Sequence, residues 1–109
     1  MTFSVLALGG DGIGPEALHA GLEVVNAMAK KENIDISFTH DLLHGASWEK
    51  YGTFCREDTL EAALNSDAVL VGAVGGPKWD NIKVPGGPEM QDGLMRLRKE
   101  MDAFIGLRP

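Results

Sequence analysis

The chain predicts an α/β fold with a largely parallel sheet and flanking helices, and three observations carry that expectation. Residues 68–74 form an unbroken apolar run, as in a strand covered on both faces, and residues 3–8 read as a second short buried strand. Ile34, Ile36 and Phe38 alternate with Asp35, Ser37 and Thr39, the period-two pattern of a half-exposed strand. Segments of helical spacing separate these strands, and strand–helix alternation of this kind builds parallel sheets.

Taken in order, the first strand ends in Gly9-Gly10 and opens into a tight loop at Asp11-Gly12-Ile13-Gly14. Pro15 and Glu16 then mark a helix start, because proline is pre-set for the first helical turn and an early acid suits the helix dipole. Leu18, Leu22, Val25 and Met28 or Ala29 recur at helical spacing, with His19, Glu23, Asn26 and Lys30 on the opposite face. After the alternating strand, residues 46–51 suit a short helix stopped by Gly52. Asp58 with Glu61 reads as a capping pair for a helix carrying Leu60, Ala63 and Leu64. Residues 75–92 are rich in Gly and Pro without periodicity, a long loop of the kind that carries function. Leu94, Leu97 and Met101 mark one more helix, and Phe104-Ile105-Gly106-Leu107 reads as the beginning of a fourth strand.

A chain of 109 residues suits a single domain, and 44% hydrophobic with 24% charged residues is ordinary for a globular protein. The net charge of −6 disfavours nucleic acid and anionic membrane surfaces as partners. Arg96, Arg98, Lys99 and Arg108 nevertheless cluster, which points to a small anionic ligand. Cys55 is the single cysteine, so no intrachain disulfide forms and a reducing, cytoplasmic setting is expected. No signal peptide and no apolar stretch of membrane-spanning length is read.

Two loops and one arginine stand out. Gly10-Asp11-Gly12-Ile13-Gly14-Pro15 has the strand-to-helix context of a dinucleotide fingerprint, but proline replaces the glycine that the fingerprint requires, so the ordinary Rossmann reading is rejected. Gly75-Gly76 follows a strand at the position where open α/β sheets bind ligands, with Lys78, Trp79 and Asp80 close behind. Arg98 lies between Leu94 and Met101 at helical spacing, so its side chain is expected to leave from the apolar stripe. A guanidinium there either snorkels to solvent or meets a bound carboxylate. His19, His40 and His44 make no metal set and read as solvated.

Gly10-Asp11-Gly12-Ile13-Gly14-Pro15-Glu16, Val74-Gly75-Gly76-Pro77-Lys78-Trp79-Asp80, Leu97-Arg98-Lys99 and Leu107-Arg108-Pro109 together resemble the β-decarboxylating dehydrogenases of the isocitrate/isopropylmalate family. The match is best to the members that convert (2R,3S)-3-isopropylmalate to 2-oxoisocaproate in leucine biosynthesis. The resemblance implies oxidation of the 2-hydroxyl of a malate derivative by NAD, then loss of the β-carboxylate as CO₂. It implies Arg98 and Arg108 as substrate-clamping arginines, with Leu94 and Met95 lining the pocket for the substrate's side chain. Ile13, Gly75, Gly76, Pro77 and Glu89 fall on the cofactor side. Here Pro88-Glu89-Met90-Gln91-Asp92-Gly93 is longer than the compact Pro-Glu-x-Gly typical of the isopropylmalate enzymes.

The resemblance covers about the first third of a family member, so residues 1–109 are expected to form an N-terminal part, truncated after Pro109. The third arginine, the catalytic tyrosine and lysine, and the aspartates for Mg²⁺ or Mn²⁺ would then lie downstream, leaving no catalytic or metal residue in this stretch. A homodimer in the cytoplasm is the implied state of the whole enzyme. The competing readings are a sister enzyme acting on tartrate, malate, homoisocitrate or isocitrate, and a non-catalytic α/β module that only binds a dicarboxylate.

Overall fold

A computed structural model describes residues 1–109. Three strands, β1 (Thr2–Gly10), β2 (Asp35–Asp41) and β3 (Ala68–Ala73), form one parallel sheet in the order β2-β1-β3. The long helix α1 (Gly14–Glu32) joins β1 to β2, and α2 (Gly45–Tyr51) and α3 (Glu57–Leu64) lie between β2 and β3. After β3 come a single helical turn, α4 (Pro77–Asp80), a 3₁₀ turn (Pro88–Gln91) and α5 (Gly93–Glu100). The expected α/β class and parallel sheet are therefore present.

Side-chain alternation along β1 sorts the two layers. Leu6 and Leu8 point into a core with Leu43, Cys55, Leu60, Ala63 and Leu97, drawn from α3, α5 and the segments flanking α2. Ala7 faces the opposite side, where α1 packs across β1 and β3 with Leu18 and Ala29 buried. The α1 stripe read from the sequence is the one that turns inward, with Leu22 and Val25 half-buried and Met28 left in solvent. Burial in this core also pushes the Cys55 thiol up to about 11, so it behaves as a small apolar side chain.

The junction of α1 with the sheet leaves no room for side chains. A Cβ on Gly72 would sit 2.8 Å from the carbonyl carbon of Gly14, and closer still to the Gly9 and Gly14 carbonyl oxygens. Glycine is needed there because the N-terminus of α1 and the end of β3 touch backbone to backbone.

At the opposite edge of the core, Asp41 ends β2 and gathers donors. The Arg56 guanidinium donates to both carboxylate oxygens at 2.9 and 3.1 Å, the Thr59 hydroxyl at 2.7 Å and the Leu42 N–H at 2.7 Å. Burial raises the Asp41 carboxyl, but the Thr59, Leu42 and Arg56 hydrogen bonds outweigh it and hold it below its ordinary value of 3.8.

The structure corrects several expectations. Residues 104–107 do not form a strand; Phe104, Ile105 and Leu107 are exposed, since no neighbouring strand within this chain pairs with them. β3 is an edge strand whose two faces meet α1 and, through Val69 and Val71, the core, but it is only half-buried along most of its length. Asp58 does not cap α3, which begins one residue earlier at Glu57. Glu57 and Asp58 instead occupy its first turn, where they complement the helix dipole, and Asp58 meets Arg56 at 3.4 Å. The segment 75–92 is also not uniformly irregular, because α4 and the 3₁₀ turn lie inside it.

Two outcomes follow. Gly72→Ala is expected to destabilise the protein by about 1–3 kcal/mol, the cost of overpacking against fixed backbone, read as a fall in Tm by circular dichroism. Asp41→Asn is expected to lower stability at pH 7 by about 1–3 kcal/mol in chemical denaturation. Because the folded carboxyl titrates below its unfolded value, wild type holds this advantage above pH ~4 and loses it as acid protonates Asp41 in the fold, so the two proteins converge there.

Candidate functional site

The loops that leave β1 and β3 at their carboxyl ends are tied together by Asp11. Its carboxylate is buried and accepts the N–H of Gly75 at 2.9 Å, of Gly45 at 3.1 Å and of Ala46 at 2.7 Å. Its own N–H donates to the Ala73 carbonyl at 2.7 Å. One side chain thus joins the β1–α1 loop, the start of α2 and the turn after β3. Parallel neighbouring strands make this junction, because their carboxyl ends emerge side by side.

Trp79 covers the same junction. Its ring lies against the backbone of Gly45, where a Cβ would overlap it, and its edge meets the His44 ring at a centroid distance of 6.4 Å. His44 is stacked on Phe54 at 4.5 Å, and its Nδ1 accepts the Gly93 N–H at 3.2 Å, which places the ring proton on Nε2. The backbone of His44 has a φ of 58°, a conformation held by hydrogen bonds from its N–H to Phe54 and from the Trp48 N–H to its carbonyl. The expectation that His44 is solvated is therefore wrong: it is a buried linker between α2 and α5.

From Gly93 the chain enters α5, whose first turn is capped by the Asp92 carboxylate accepting from Leu94 and Met95 N–H at 2.8 and 3.2 Å. Arg96 secures the outer side, donating to the Cys55 carbonyl at 2.8 Å and pairing with Glu57. The helix then presents Arg98 on the rim of a groove of about 400 Å³, whose apolar walls include Val69, Val71, Val74, Leu94 and Met101. Arg98 and Arg108 both line a second hollow of about 410 Å³ formed with residues 103–107. Neither guanidinium forms an ion pair or a side-chain hydrogen bond within the chain. Arg98 shares a wall with Leu94 and Met101, and its side chain reaches solvent at the groove rim.

The other expected site residues divide. Leu94 lies in the groove wall, whereas Met95 is exposed and lines neither hollow. Ile13 is exposed at the entry to α1, two residues beyond Asp11. Gly75, Gly76 and Pro77 form the turn into α4, next to Val74 at the end of the apolar groove. Glu89 faces Lys99 at 2.7 Å; the Lys99 hydrogen bond lowers its carboxyl below the ordinary range and ties the 3₁₀ turn to α5. No group of three or more His, Cys, Asp or Glu side chains stands close enough together to hold a metal ion. No helix is long and apolar enough to cross a membrane.

The model of the isocitrate/isopropylmalate dehydrogenase family matches residues 4–109. The chain belongs to that family. Over its whole length it is 47% identical to a 3-isopropylmalate dehydrogenase of Hydrogenovibrio crunogenus and 44% identical to one of Chlorobaculum tepidum. In each case it spans about 30% of the relative's length. Its fold matches the crystal structure of a β-decarboxylating dehydrogenase from Thermococcus kodakarensis with a TM-score of 0.68 and 28% identity. That match covers 92% of this chain and 27% of the other.

Asp11 and His44 are the residues that sequence reasoning missed. An acid between two glycines at a strand-to-helix turn, with no cation nearby in sequence, was a signal for Asp11. His44 offered none, because its burial depends on Phe54, Trp79 and Gly93 from three separate segments. The packing of Trp79 on Gly45 makes its own test: in a Trp48→Phe background, Gly45→Ala should displace the ring and shift tryptophan emission to the red as the indole becomes wet.

Proposed function

We propose that residues 1–109 form the N-terminal part of an enzyme that oxidises and decarboxylates 3-isopropylmalate with reduction of NAD. The observation that carries this reading is the pair Arg98 and Arg108, free of protein carboxylates and lining one hollow beside an apolar groove. Two guanidinium groups without internal partners suit a ligand with two carboxylates, since each charge-assisted hydrogen bond is worth about 1.5–3 kcal/mol. Leu94, in the groove that Arg98 borders, supplies an apolar surface for the isopropyl group in place of a third carboxylate.

On the cofactor side, Ile13, Gly75, Gly76, Pro77 and Glu89 make up the proposed nicotinamide-side rim, where exposed backbone allows close approach. NAD, when bound, supplies the acceptor for the hydride leaving the substrate's C2. This chain's share of the work is to grip the diacid and to hold its C2 toward that rim. Family resemblance assigns stabilisation by Mg²⁺ or Mn²⁺ to residues outside this chain. Family resemblance supports a homodimer, and the lone buried thiol supports a reducing cytoplasm.

The polypeptide expressed from its complete reading frame should form NADH with 3-isopropylmalate, followed at 340 nm, and do so with a higher kcat/KM than with isocitrate, homoisocitrate, tartrate or malate. Preference for one of those would assign it to a sister enzyme. Arg98→Gln should lower kcat/KM for the diacid about 100-fold, equivalent to about 2.7 kcal/mol, while NADH affinity stays within a factor of two. An unchanged kcat/KM would remove Arg98 from the site.

A further inference from the structure

We propose that Asp11 is a positioning residue: its buried carboxylate sets the Gly75–Gly76 turn against the start of α2 and so fixes the geometry of the cofactor-side rim. The geometry separates this role from ordinary core packing. Gly75 is exposed, yet its N–H is turned inward to a carboxylate that is 5% exposed. The same carboxylate holds two consecutive N–H groups at the start of α2, so the turn is registered on a helix and on two strand ends. No other side chain hydrogen-bonds the Gly75 or Gly76 backbone. Without the carboxylate, Gly75 has the broad torsional range of glycine and no side-chain hydrogen bond to hold it in one conformation.

Asp41 supplies the contrast. It too is a carboxylate with several donors, but it joins β2 to α3, away from the turn after β3. Asp41→Asn therefore reports what the loss of a buried carboxylate does to the fold alone. An Asn at position 11 could keep its one oxygen on Gly75 and Gly45, which share Oδ2, whereas Asp11→Ala removes the acceptor of all three hydrogen bonds. The link from the turn to cofactor affinity rests on the function proposed above; the link from Asp11 to the turn does not.

The test uses the full-length protein and has two arms. In wild type, amide hydrogen exchange should show the Gly75 N–H protected at least about 100-fold relative to an open chain, despite the exposure of the residue, together with Gly45 and Ala46. Asp11→Ala should abolish the Gly75 protection and raise the Kd for NADH about tenfold, with KM for the diacid within twofold. Asp41→Asn should lower Tm but leave the Kd for NADH unchanged. An unprotected Gly75 amide in wild type would overturn the proposal even if Asp11→Ala fails to fold. So would an Asp11→Ala protein that loses NADH and diacid affinity in parallel, or in step with Asp41→Asn. Should wild type bind no NADH, the functional reading fails, and the exchange arm alone upholds or overturns the role of Asp11.

Discussion

Three backbone N–H groups from two distant parts of the chain converge on the carboxylate of Asp11, and the arrangement of the loops at the carboxyl end of the sheet depends on it. Hydrogen bonds to a charged acceptor contribute about 1.5–3 kcal/mol each, and burial of the acceptor makes an unmade one costly. Those terms favour a single arrangement of three loops that otherwise have little to hold them. The sheet ends at Ala73, and glycines flank the carboxylate on both sides of the junction. Rigidity at the rim is thus borrowed from α2 and from the parallel pair β1–β3.

A second line of contacts runs from this junction to the arginines. Gly45 neighbours His44, whose ring accepts from Gly93 at the head of α5, and Asp92 caps the same turn. Arg96 fastens the far side of α5 to Cys55 and Glu57, which leaves Arg98 to face the groove. Two arginines two residues apart on one helix thus have opposite fates. Arg96 is consumed by the protein, and Arg98 remains available. Their helical phase decides this, since residues two apart project to different faces.

Much of the fold was legible because the periodicities were strong. The α1 stripe of Leu18, Leu22, Val25 and Ala29 and the alternation of Ile36 and Phe38 in β2 appear as read. The errors cluster where the answer depends on neighbours. Residues 104–107 have strand-like chemistry but no strand beside them, and β3 has a core-strand composition at the edge of a three-stranded sheet. An apolar run records a tendency to be covered and says nothing of what covers it. For the site, motif residues Arg98, Arg108, Gly75 and Gly76 were visible as patterns, whereas the burial of His44 was not.

The chain's own composition and spacing determined its strands and helices, its acidic balance, and the presence of two arginines near one helix and its trailing segment. These are local properties, set by side-chain period and by charge. Only the tertiary structure decided that Asp11 reaches Gly75 across 64 positions, that His44 is buried beneath Trp79 and Phe54, and that Arg98 and Arg108 line one hollow. Such contacts arise when parallel strands bring remote loops to the same end of a sheet, and no window of neighbouring residues encodes that meeting.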